Sequence, residues 1–446
     1  MRQPEPGAGP PAPGGAPPPA HGRARPWPAA LASFEQVQFR WLYVGNLAFF
    51  FAMHGLSIIV RPWIAYEMTG SALALGSVSF MAAVPMAVLS PLGGVFADRF
   101  DRRNLIAFAQ IAVVANEALG LLLLATGTLR LWHLMLLTGV MGCVFPIIMP
   151  ARQAIVVTLV GRHRIGNAMA LNVSGMNLTR IVAPALFGYL IGPLGLARTW
   201  GLGIVLYALA ALCLLGVRAC PPSAHVLRTS AGENLREGFR YVLEARLVLV
   251  LLLFGLVPMF LMMPFQTLLV VFARDVWKVG TEGLGTLNAA VGIGGLVGSI
   301  FVALRGAGGG RLALMLASVF AFGGFLLLFA VSPGLGLALP SLFAANVFAS
   351  VYGVLNNTAV QVLIPDEVRG RISSLLMMSF SLPMLGTLPL SAVAEAWGAP
   401  AAVGMASVLA LLAALAFWLL SPVLRGMDAE VARAEEIGPS PLRARP

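Results

Sequence analysis

The sequence predicts an all-α membrane protein with twelve transmembrane helices, arranged as two six-helix pseudo-repeats. Three observations carry this prediction: the apolar composition, the spacing of the apolar segments and the distribution of basic residues. Of the 446 residues, 59% are hydrophobic and only 11% are charged, whereas a soluble domain carries about 25% charged residues. Because so few charges cannot cover a water-facing surface, lipid must contact much of the chain.

Apolar segments recur along the chain at lengths that fit helices crossing a bilayer, each of which needs about 20 residues. They cover residues 39–66, 73–97, 104–126, 132–158, 165–192, 199–218, 248–273, 283–304, 312–331, 336–362, 372–395 and 400–421. The first segment begins too late and is too long for a cleavable signal peptide. Residues 1–35 are rich in Pro, Gly and Ala and are expected to form a disordered cytoplasmic tail.

The basic residues lie mainly on one side of the predicted spans. With the N-terminus inside, 23 of the 29 Lys and Arg fall in inside segments, five fall outside and Arg180 lies within a span. This bias predicts a multi-pass protein of the bacterial inner (cytoplasmic) membrane with both termini cytoplasmic and an even number of spans. The net charge of +11 therefore reflects orientation in lipid, and no nucleic-acid partner is expected.

The longest inside connection divides the spans into two groups of six. We expect a first bundle at 36–218, a cytoplasmic linker at 219–247, a second bundle at 248–422 and a cytoplasmic tail at 423–446. In the linker, Leu235, Phe239, Val242 and Leu243 recur at helical spacing with Arg between them. This pattern predicts an amphipathic helix on the membrane surface, with a plain solvated linker helix as the alternative.

An internal repeat supports the division. LVGRHRIGNAMAL and LIPDEVRGRISSL are offset by 204 residues, which places Gly166 on Gly370. The same offset places Gly94 on Gly298. Parallel six-helix repeats with a substrate site between the halves are typical of membrane carriers.

The segment GGVFADRFDRRNL, residues 93–105, joins the second and third spans. Gly94 has no side chain, so another helix can approach it closely. Asp98 places a carboxylate at the cytoplasmic mouth, where it can pair with an arginine or cap a helix. Arg99, Arg102 and Arg103 hold the loop inside. We interpret this segment as a gate of breakable contacts, with a purely topogenic loop as the alternative.

Three further arginines are expected to form a ring with this loop at the cytoplasmic mouth: Arg152, Arg369 and Arg371. Their candidate partners are the carboxylates of Asp98, Asp366 and Glu367. The alternative is that these arginines only set the orientation in the membrane.

The pattern GxxxDRFxRR in this segment resembles the signature loop of the major facilitator superfamily, although Asp101 stands where glycine is usual. PARQAIVVTLV, GNAMALN, RIVAPALFG and VQVLIPDEVRGRISSL resemble the branch that holds the enterobactin exporter and macrolide efflux pumps. The resemblance covers about residues 35–422. It implies twelve helices, export from the cytoplasm and proton antiport.

The stretch APALFG resembles the antiporter motif of the fifth helix in that superfamily. Pro184 and Gly188 match the motif, whereas Ala183 and Phe187 replace two glycines. The resemblance implies a coupling role for Pro184 and Gly188. A packing kink is an equally good interpretation, because Pro permits a bend and small residues permit close helix contact.

Ionisable side chains inside spans are candidate functional residues. Arg180 lies about 22 Å along its helix and is a candidate for the cavity or for coupling, with a structural ion pair as the alternative. Glu117 is either a proton carrier or a structural partner of a basic group. His54 either titrates near neutral pH or is a buried, hydrogen-bonded histidine.

Amide side chains recur on the helices expected to line a cavity. The candidates for contact with substrate are Asn46, Asn172, Gln266, Asn288, Asn346, Asn356, Asn357 and Gln361. The alternative for about half of them is hydrogen bonding to a neighbouring helix, because an unsatisfied polar group in hydrocarbon is costly. An apolar cavity with a few amides suits small amphipathic organic molecules.

These features predict a secondary transporter that works by alternating access and exports a small amphipathic drug or siderophore, driven by protons. An importer or lipid flippase of the same fold, a non-transporting receptor and a membrane-embedded enzyme are the alternatives. The sequence contains neither HExxH nor GxxxxGK[ST], which argues against an enzyme or a primary pump. We expect a monomer without metal or cofactor, and the three cysteines form no CxxC pair.

Overall fold

The computed structural model describes residues 28–161, 164–220, 231–306, 310–364 and 381–437, and the regular secondary structure in these ranges is helical. Ten helices are long and apolar enough to span a membrane. One of them, Ile165–Gly216, has 52 residues and would measure about 78 Å, more than twice the hydrocarbon core. Gly195, with a φ of 79°, interrupts it, so this segment crosses twice. The helix Leu382–Trp397 brings the number of crossings to twelve. Residues 365–380, which precede it, lie outside the described ranges.

The crossings are numbered here in chain order. They are α1 Val37–Thr69, α2 Ala72–Arg99, α3 Arg102–Ala125, α4 Leu131–Leu159, α5 165–194, α6 196–213, α7 Arg246–Val276, α8 Gly280–Arg305, α9 Arg311–Ala330, α10 Leu335–Leu363, α11 Leu382–Trp397 and α12 Ala399–Leu420. The first half is α1–α6 and the second half is α7–α12. The side at which α1 begins and α12 ends is called the terminal face, and the opposite side is the distal face.

Short turns separate the helices because capping residues end and begin them sharply. Gly70 ends α1 in the left-handed region, with a φ of 62°, which glycine adopts without strain. The Ser71 hydroxyl then accepts a hydrogen bond from the Ala74 N–H at 3.2 Å and caps α2. This turn fixes α1 and α2 as antiparallel neighbours at the distal face.

The packing of the two halves repeats, which confirms the predicted duplication. In the first half α4 packs on α2 and α3, and in the second half α10 packs on α8 and α9. Helices α1 and α7 each contain a π-helical turn, Leu56–Val60 and Pro258–Met262. Gly298 lies against the Val347 backbone of α10. The corresponding Gly94 lies on α2, but its contacts lie outside what the structure describes. Gly370, the counterpart of Gly166, also lies outside the described residues.

The halves meet along two helix pairs, α2 with α11 and α5 with α8. A linker helix, Ala231–Glu244, lies at the terminal face. Its Val242 is buried, and the Tyr241 hydroxyl is 3.5 Å from a backbone carbonyl at the end of α10. Phe239 is exposed. The linker is therefore helical and contacts the protein through Tyr241 and Val242, and its placement on the membrane surface stays a prediction.

The predicted tails are shorter than expected because parts of them bind to the bundles. Ala29–Glu35 forms a 3₁₀ helix, and the Ser33 hydroxyl donates a 2.6 Å hydrogen bond to Asn167 of α5. At the other end, Met427–Ile437 is helical, and the Asp428 carboxylate accepts a 3.0 Å hydrogen bond from the Leu312 N–H at the start of α9. The expected disorder is therefore wrong for residues 29–35, which a polar contact holds on α5, whereas no such expectation was made for residues 427–437.

Candidate transport cavity and gate

The loop between α2 and α3 is tied to its own half at the terminal face. The Asp101 side chain accepts a 2.9 Å hydrogen bond from the Asn104 N–H and caps α3. This contact explains the aspartate that replaces the usual glycine. Arg102 donates to the Thr158 hydroxyl of α4 at 3.0 Å, and its backbone N–H donates to the Cys220 carbonyl at 3.1 Å. The loop therefore joins α3, α4 and the start of the linker.

The remaining members of the predicted gate are placed only in part. Arg103 donates to the Leu214 carbonyl at the end of α6 at 3.0 Å, and Arg99 is exposed at the end of α2. The Asp98 backbone lies on α2, but its side chain lies outside the described structure. Arg369 and Arg371 also lie outside the described residues. The gate interpretation stays a prediction.

Arg152 does not belong to a ring at the terminal face, and the prediction for it is wrong. It lies inside the first half, 2% exposed, because its position on α4 points towards α1. Its Nη1 donates to the Asn46 side-chain oxygen, and its guanidinium lies 4.1 Å from the Phe49 ring centroid. Its Nε and Nη2 have no hydrogen-bond partner in the described part of the chain. Cation–π contact and an amide thus hold this charge without a carboxylate.

Asn46 and Asn172 bond to each other rather than line the cavity as free amides. The Asn46 Nδ2 donates to the Asn172 Oδ1 at 2.9 Å, while its own oxygen accepts from Arg152. Asn46 is buried, so its assignment to the substrate cavity is wrong. The result is a chain of polar contacts that links the interior of the first half to α5.

Glu117 forms a buried cluster with Arg61 and Trp200. Arg61 Nη2 pairs with Glu117 Oε1, and Trp200 Nε1 donates to Oε2 at 2.9 Å. Glu117 is 0% exposed and Arg61 is 2% exposed. Both carboxylate oxygens are therefore occupied, which favours the structural alternative over a proton carrier. Arg61 is one of the five basic residues predicted to lie in outside segments, and that prediction is wrong for it, since Arg61 lies buried within α1.

His54 contacts α5 through Thr179. The Thr179 hydroxyl lies 3.3 Å from His54 Nδ1 and donates its proton to the Met176 carbonyl at 2.8 Å. A hydroxyl has one proton to donate, so we assign Nδ1–H of His54 as the donor to Thr179. His54 Nε2 is then the ring nitrogen without a proton.

Arg180 lies 15 residues into α5, near the middle of the membrane depth, and its side chain is exposed. It forms no ion pair or hydrogen bond with the described residues, so the predicted structural ion pair is not found there. Thr179 contacts α1 on one side and Ile181 packs on Gly292 of α8 on the other. Since consecutive helical residues are about 100° apart, Arg180 points into the space between α1 and α8.

The opposite side of α5 identifies this space as internal. Four large hydrophobic residues follow one another at helical spacing there and are all exposed: Leu178, Val182, Leu186 and Tyr189. Such a row fits contact with lipid. Because Arg180 lies on the other side of the helix, it faces the cavity between the halves.

Pro184 and Gly188 lie where α5 crosses α8. A Cβ added at Gly188 would lie 2.6 Å from the Thr281 carbonyl oxygen and 2.8 Å from the Gly285 Cα. A Cβ at Gly285 would in turn lie 3.1 Å from the Pro184 carbonyl oxygen. Small residues on both helices thus permit close contact between the halves. This geometry favours the packing interpretation of APALFG.

Amides of the second half fall into two groups. Asn288 and Asn346 are buried, and each donates a 2.9 Å hydrogen bond to a carbonyl of its own helix; their assignment to the substrate cavity is wrong. Asn356 faces α7 beside Gly255. Gln266 of α7 is half-buried.

Asn357 and Gln361 line an open cavity near the terminal-face end of α10. It has a volume of about 550 Å³, and its other lining residues are Val354, Thr358 and Val362. The mixture of amide, hydroxyl and branched aliphatic groups fits an amphipathic ligand. These two amides are the predicted cavity residues that the structure brings together.

Polar contacts join the halves at the distal face. The Tyr66 hydroxyl at the end of α1 donates to Asp275 of α7, and Arg274 donates to the Tyr66 carbonyl at 2.8 Å. Glu395 of α11 accepts from the Ser71 hydroxyl at 3.0 Å and from the Leu73 N–H at 3.1 Å, at the start of α2. We call these five residues and Leu73 the distal latch. The latch was not predicted, because its residues lie at the ends of different helices and form no motif along the chain.

Comparison with known proteins identifies relatives over nearly the whole chain. The sequence profile described as transmembrane secretion effector matches residues 28–444. The chain is 26% identical over 390 residues to the multidrug efflux pump Tap of Mycolicibacterium fortuitum, which covers 84% of this chain and 94% of that protein. It is 25% identical to macrolide efflux protein A of Streptococcus pyogenes, covering 73% and 82%. It is 28% identical to the enterobactin exporter EntS of Shigella boydii, covering 72% and 76%.

Solved structures share the architecture at low sequence identity. The nucleoside transporter NupG superposes with a TM-score of 0.68 at 14% identity, over 86% of this chain and 98% of that one. A bacterial homologue of the human lysosomal transporter Spinster superposes with a TM-score of 0.64 at 14% identity, over 90% and 97%. These similarities establish the fold.

Proposed function

The chain belongs to the transmembrane secretion effector family of the major facilitator superfamily, and we propose that it exports small amphipathic organic molecules by proton-driven alternating access. It is a multi-pass membrane transporter, and its relatives are efflux proteins for drugs, macrolides and enterobactin. Export of a cargo of this general kind is the function that family and cavity support together.

One observation carries the alternating-access part of the proposal. The halves are joined at the distal face by the latch and along α2–α11 and α5–α8, while the cavity beside α10 opens near the terminal face. Polar contacts and close backbone crossings can separate without unfolding either bundle. Rocking of one half against the other would open the distal face and expose the cavity to the opposite side of the membrane.

We place the terminal face in the cytoplasm of a bacterium and the distal face outside. The excess of Arg in the terminal-face segments supports this orientation. With the latch closed, the cargo enters from the cytoplasm, as export requires. We propose that the protein acts as a monomer, since each half buries its inter-helical contacts within one chain.

Coupling to protons is assigned to the cavity between the halves rather than to Glu117. Glu117 is already bound by Arg61 and Trp200. The His54 Nε2 instead has no hydrogen bond to the described residues, and His54 contacts Thr179, the neighbour of the cavity-facing Arg180. Uptake of a proton at His54 and release of cargo near Arg180 can then influence each other through charge.

Accumulation assays test this function directly. The full chain is expressed in bacteria lacking their own major efflux pumps, and retention of fluorescent amphipathic compounds is followed with and without a protonophore. We expect lower accumulation in cells with the protein and loss of this difference when the proton gradient is collapsed. Equal accumulation with and without the protein, together with an unchanged set of metabolites in the culture medium, contradicts export.

A further inference from the structure

We propose that the central cavity selects cargo carrying an anionic group, such as a carboxylate, sulfonate or acidic phenol, which Arg180 binds. This inference deepens the proposed export function, on which it rests, by naming the charge of the cargo. The charges deep in the spans carry the argument. Among the described residues, those about two helical turns or more from either end of a span are Arg61, Glu117, Arg152 and Arg180.

These four charges do not balance. Arg61 and Glu117 neutralise each other in a buried pair. Arg152 is buried beside Asn46 and Phe49, and no carboxylate within the described ranges contacts it. Arg180 adds a second uncompensated positive charge. The described spans of the second half contribute none at this depth. The interior of the carrier is therefore positive, and the field it creates inside the low-dielectric bilayer favours anions over cations.

Arg180 is the one of these groups that a cargo can reach. It is exposed, points between α1 and α8, and forms no ion pair with the described residues. A guanidinium binds a carboxylate or sulfonate through two parallel N–H groups. His54, held by Thr179, lies at the same depth as Arg180. An arginine left without a partner in the membrane is costly, so a site of this kind is completed by an anionic ligand.

The cavity near the terminal-face end of α10 is lined by uncharged residues. Asn357, Thr358 and Gln361 offer amides and a hydroxyl, and Val354 and Val362 offer apolar surface. A cargo that fits both regions has an acidic group at one end and an apolar or hydrogen-bonding body at the other. A permanently cationic amphiphile would instead meet Arg180 without any described acidic side chain to compensate it, which disfavours this class of drug.

A binding experiment with matched probes tests the charge preference. Three compounds share a pyrene-butyl body and differ in head group: pyrenebutyrate, pyrenebutyltrimethylammonium and pyrenebutanol. Each is titrated into purified full-length protein in nanodiscs of zwitterionic lipid, and binding to empty nanodiscs is subtracted. We expect the carboxylate to bind at least tenfold more tightly than the ammonium compound, a difference of about 1.4 kcal/mol.

Variants assign the preference to one residue. Arg180→Met should weaken binding of the carboxylate probe about tenfold and leave binding of the ammonium probe unchanged or tighter. Arg180→Lys keeps the charge and should retain most of the affinity for the carboxylate probe. Arg198→Met makes the same chemical change at an exposed position at the start of α6. It should change the affinity for neither the carboxylate probe nor the ammonium probe. Size-exclusion profiles of all variants report folding.

Several outcomes overturn the proposal. The first is that the native protein binds the ammonium compound as tightly as the carboxylate or more tightly. The second is that Arg180→Met loses affinity for both compounds equally. The third is that binding of the carboxylate does not saturate. Export is measured separately with the same probes in proteoliposomes. If the ammonium compound is exported and the carboxylate is neither bound nor exported, the charge preference fails while the export function stands. If the carboxylate binds through Arg180 but nothing is exported, the function fails and the site remains.

Discussion

Replacing Glu117 with Gln removes the charge that neutralises Arg61 while preserving the shape of the side chain. Since Glu117 is 0% exposed and Arg61 is 2% exposed, no water can replace the lost partner. Removing one partner of a buried ion pair costs about 3–5 kcal/mol, because the other charge stays buried and uncompensated. For a bundle of this size, the apparent Tm should fall by roughly 10 °C.

The assay is thermal unfolding of the purified protein in detergent, followed by tryptophan fluorescence, to which Trp200 beside Glu117 contributes. Combining Glu117→Gln with Arg61→Met removes both charges and should recover most of the stability, since the pair then disappears as a unit. Glu282→Gln, at an exposed glutamate in the first turn of α8, is the matched control and should change little. The reasoning is refuted if Glu117→Gln keeps its Tm but transports without pH dependence, because Glu117 would then be a proton carrier.

Two further predictions concern the gate and the crossing of the halves. Asp98→Ala should abolish efflux while the protein still reaches the membrane and elutes as one species; normal efflux by this variant rules out the gate. Gly188→Ala should slow transport sharply, since its Cβ would meet the Thr281 carbonyl oxygen at 2.6 Å and overpacking costs about 1–3 kcal/mol. Gly192→Ala, whose Cβ would find its nearest neighbour at 3.5 Å, should transport normally in the same vesicle assay; equal rates for the two variants contradict the crossing.

The fold could be predicted from the sequence because its causes are local. Each apolar segment must reach the bilayer thickness, and each becomes a helix because hydrocarbon leaves no other way to satisfy the backbone. The repeat was also visible, since Gly94 and Gly298 are related by the same 204-residue offset as the two loop segments, and Gly298 lies against α10. Helix ends were less certain because single capping contacts such as that of Asp101 decide them.

The side-chain network could not be predicted because it depends on which helices become neighbours. Arg152 looked like an orienting charge near a helix end, yet the packing of α4 on α1 places it against Asn46 and Phe49. Glu117 was predicted to lie inside a span and to pair with a basic group as one of two alternatives, but Arg61 was counted outside the spans and was not predicted as its partner. Trp200 was not predicted as a partner either. The distal latch joins residues more than 200 positions apart, such as Tyr66 and Asp275, and no pattern along the chain reports such a contact.

Alternating access is the central claim, and locking the distal face tests it most directly. The Ser71 hydroxyl and the Glu395 carboxylate are 3.0 Å apart, on different halves. In a Ser71→Cys/Glu395→Cys variant, a short bifunctional methanethiosulfonate reagent can bridge the two thiols and can be removed by reduction. Thr126→Cys/Thr128→Cys is the control, since these hydroxyls are 2.8 Å apart within one turn of the first half.

The measurement is efflux from vesicles before cross-linking, after cross-linking and after reduction. We predict that the bridge between Ser71→Cys and Glu395→Cys stops efflux, that reduction restores it, and that the Thr126→Cys/Thr128→Cys bridge has no effect. Efflux that continues at the native rate through a fully cross-linked distal face contradicts alternating access by the two halves.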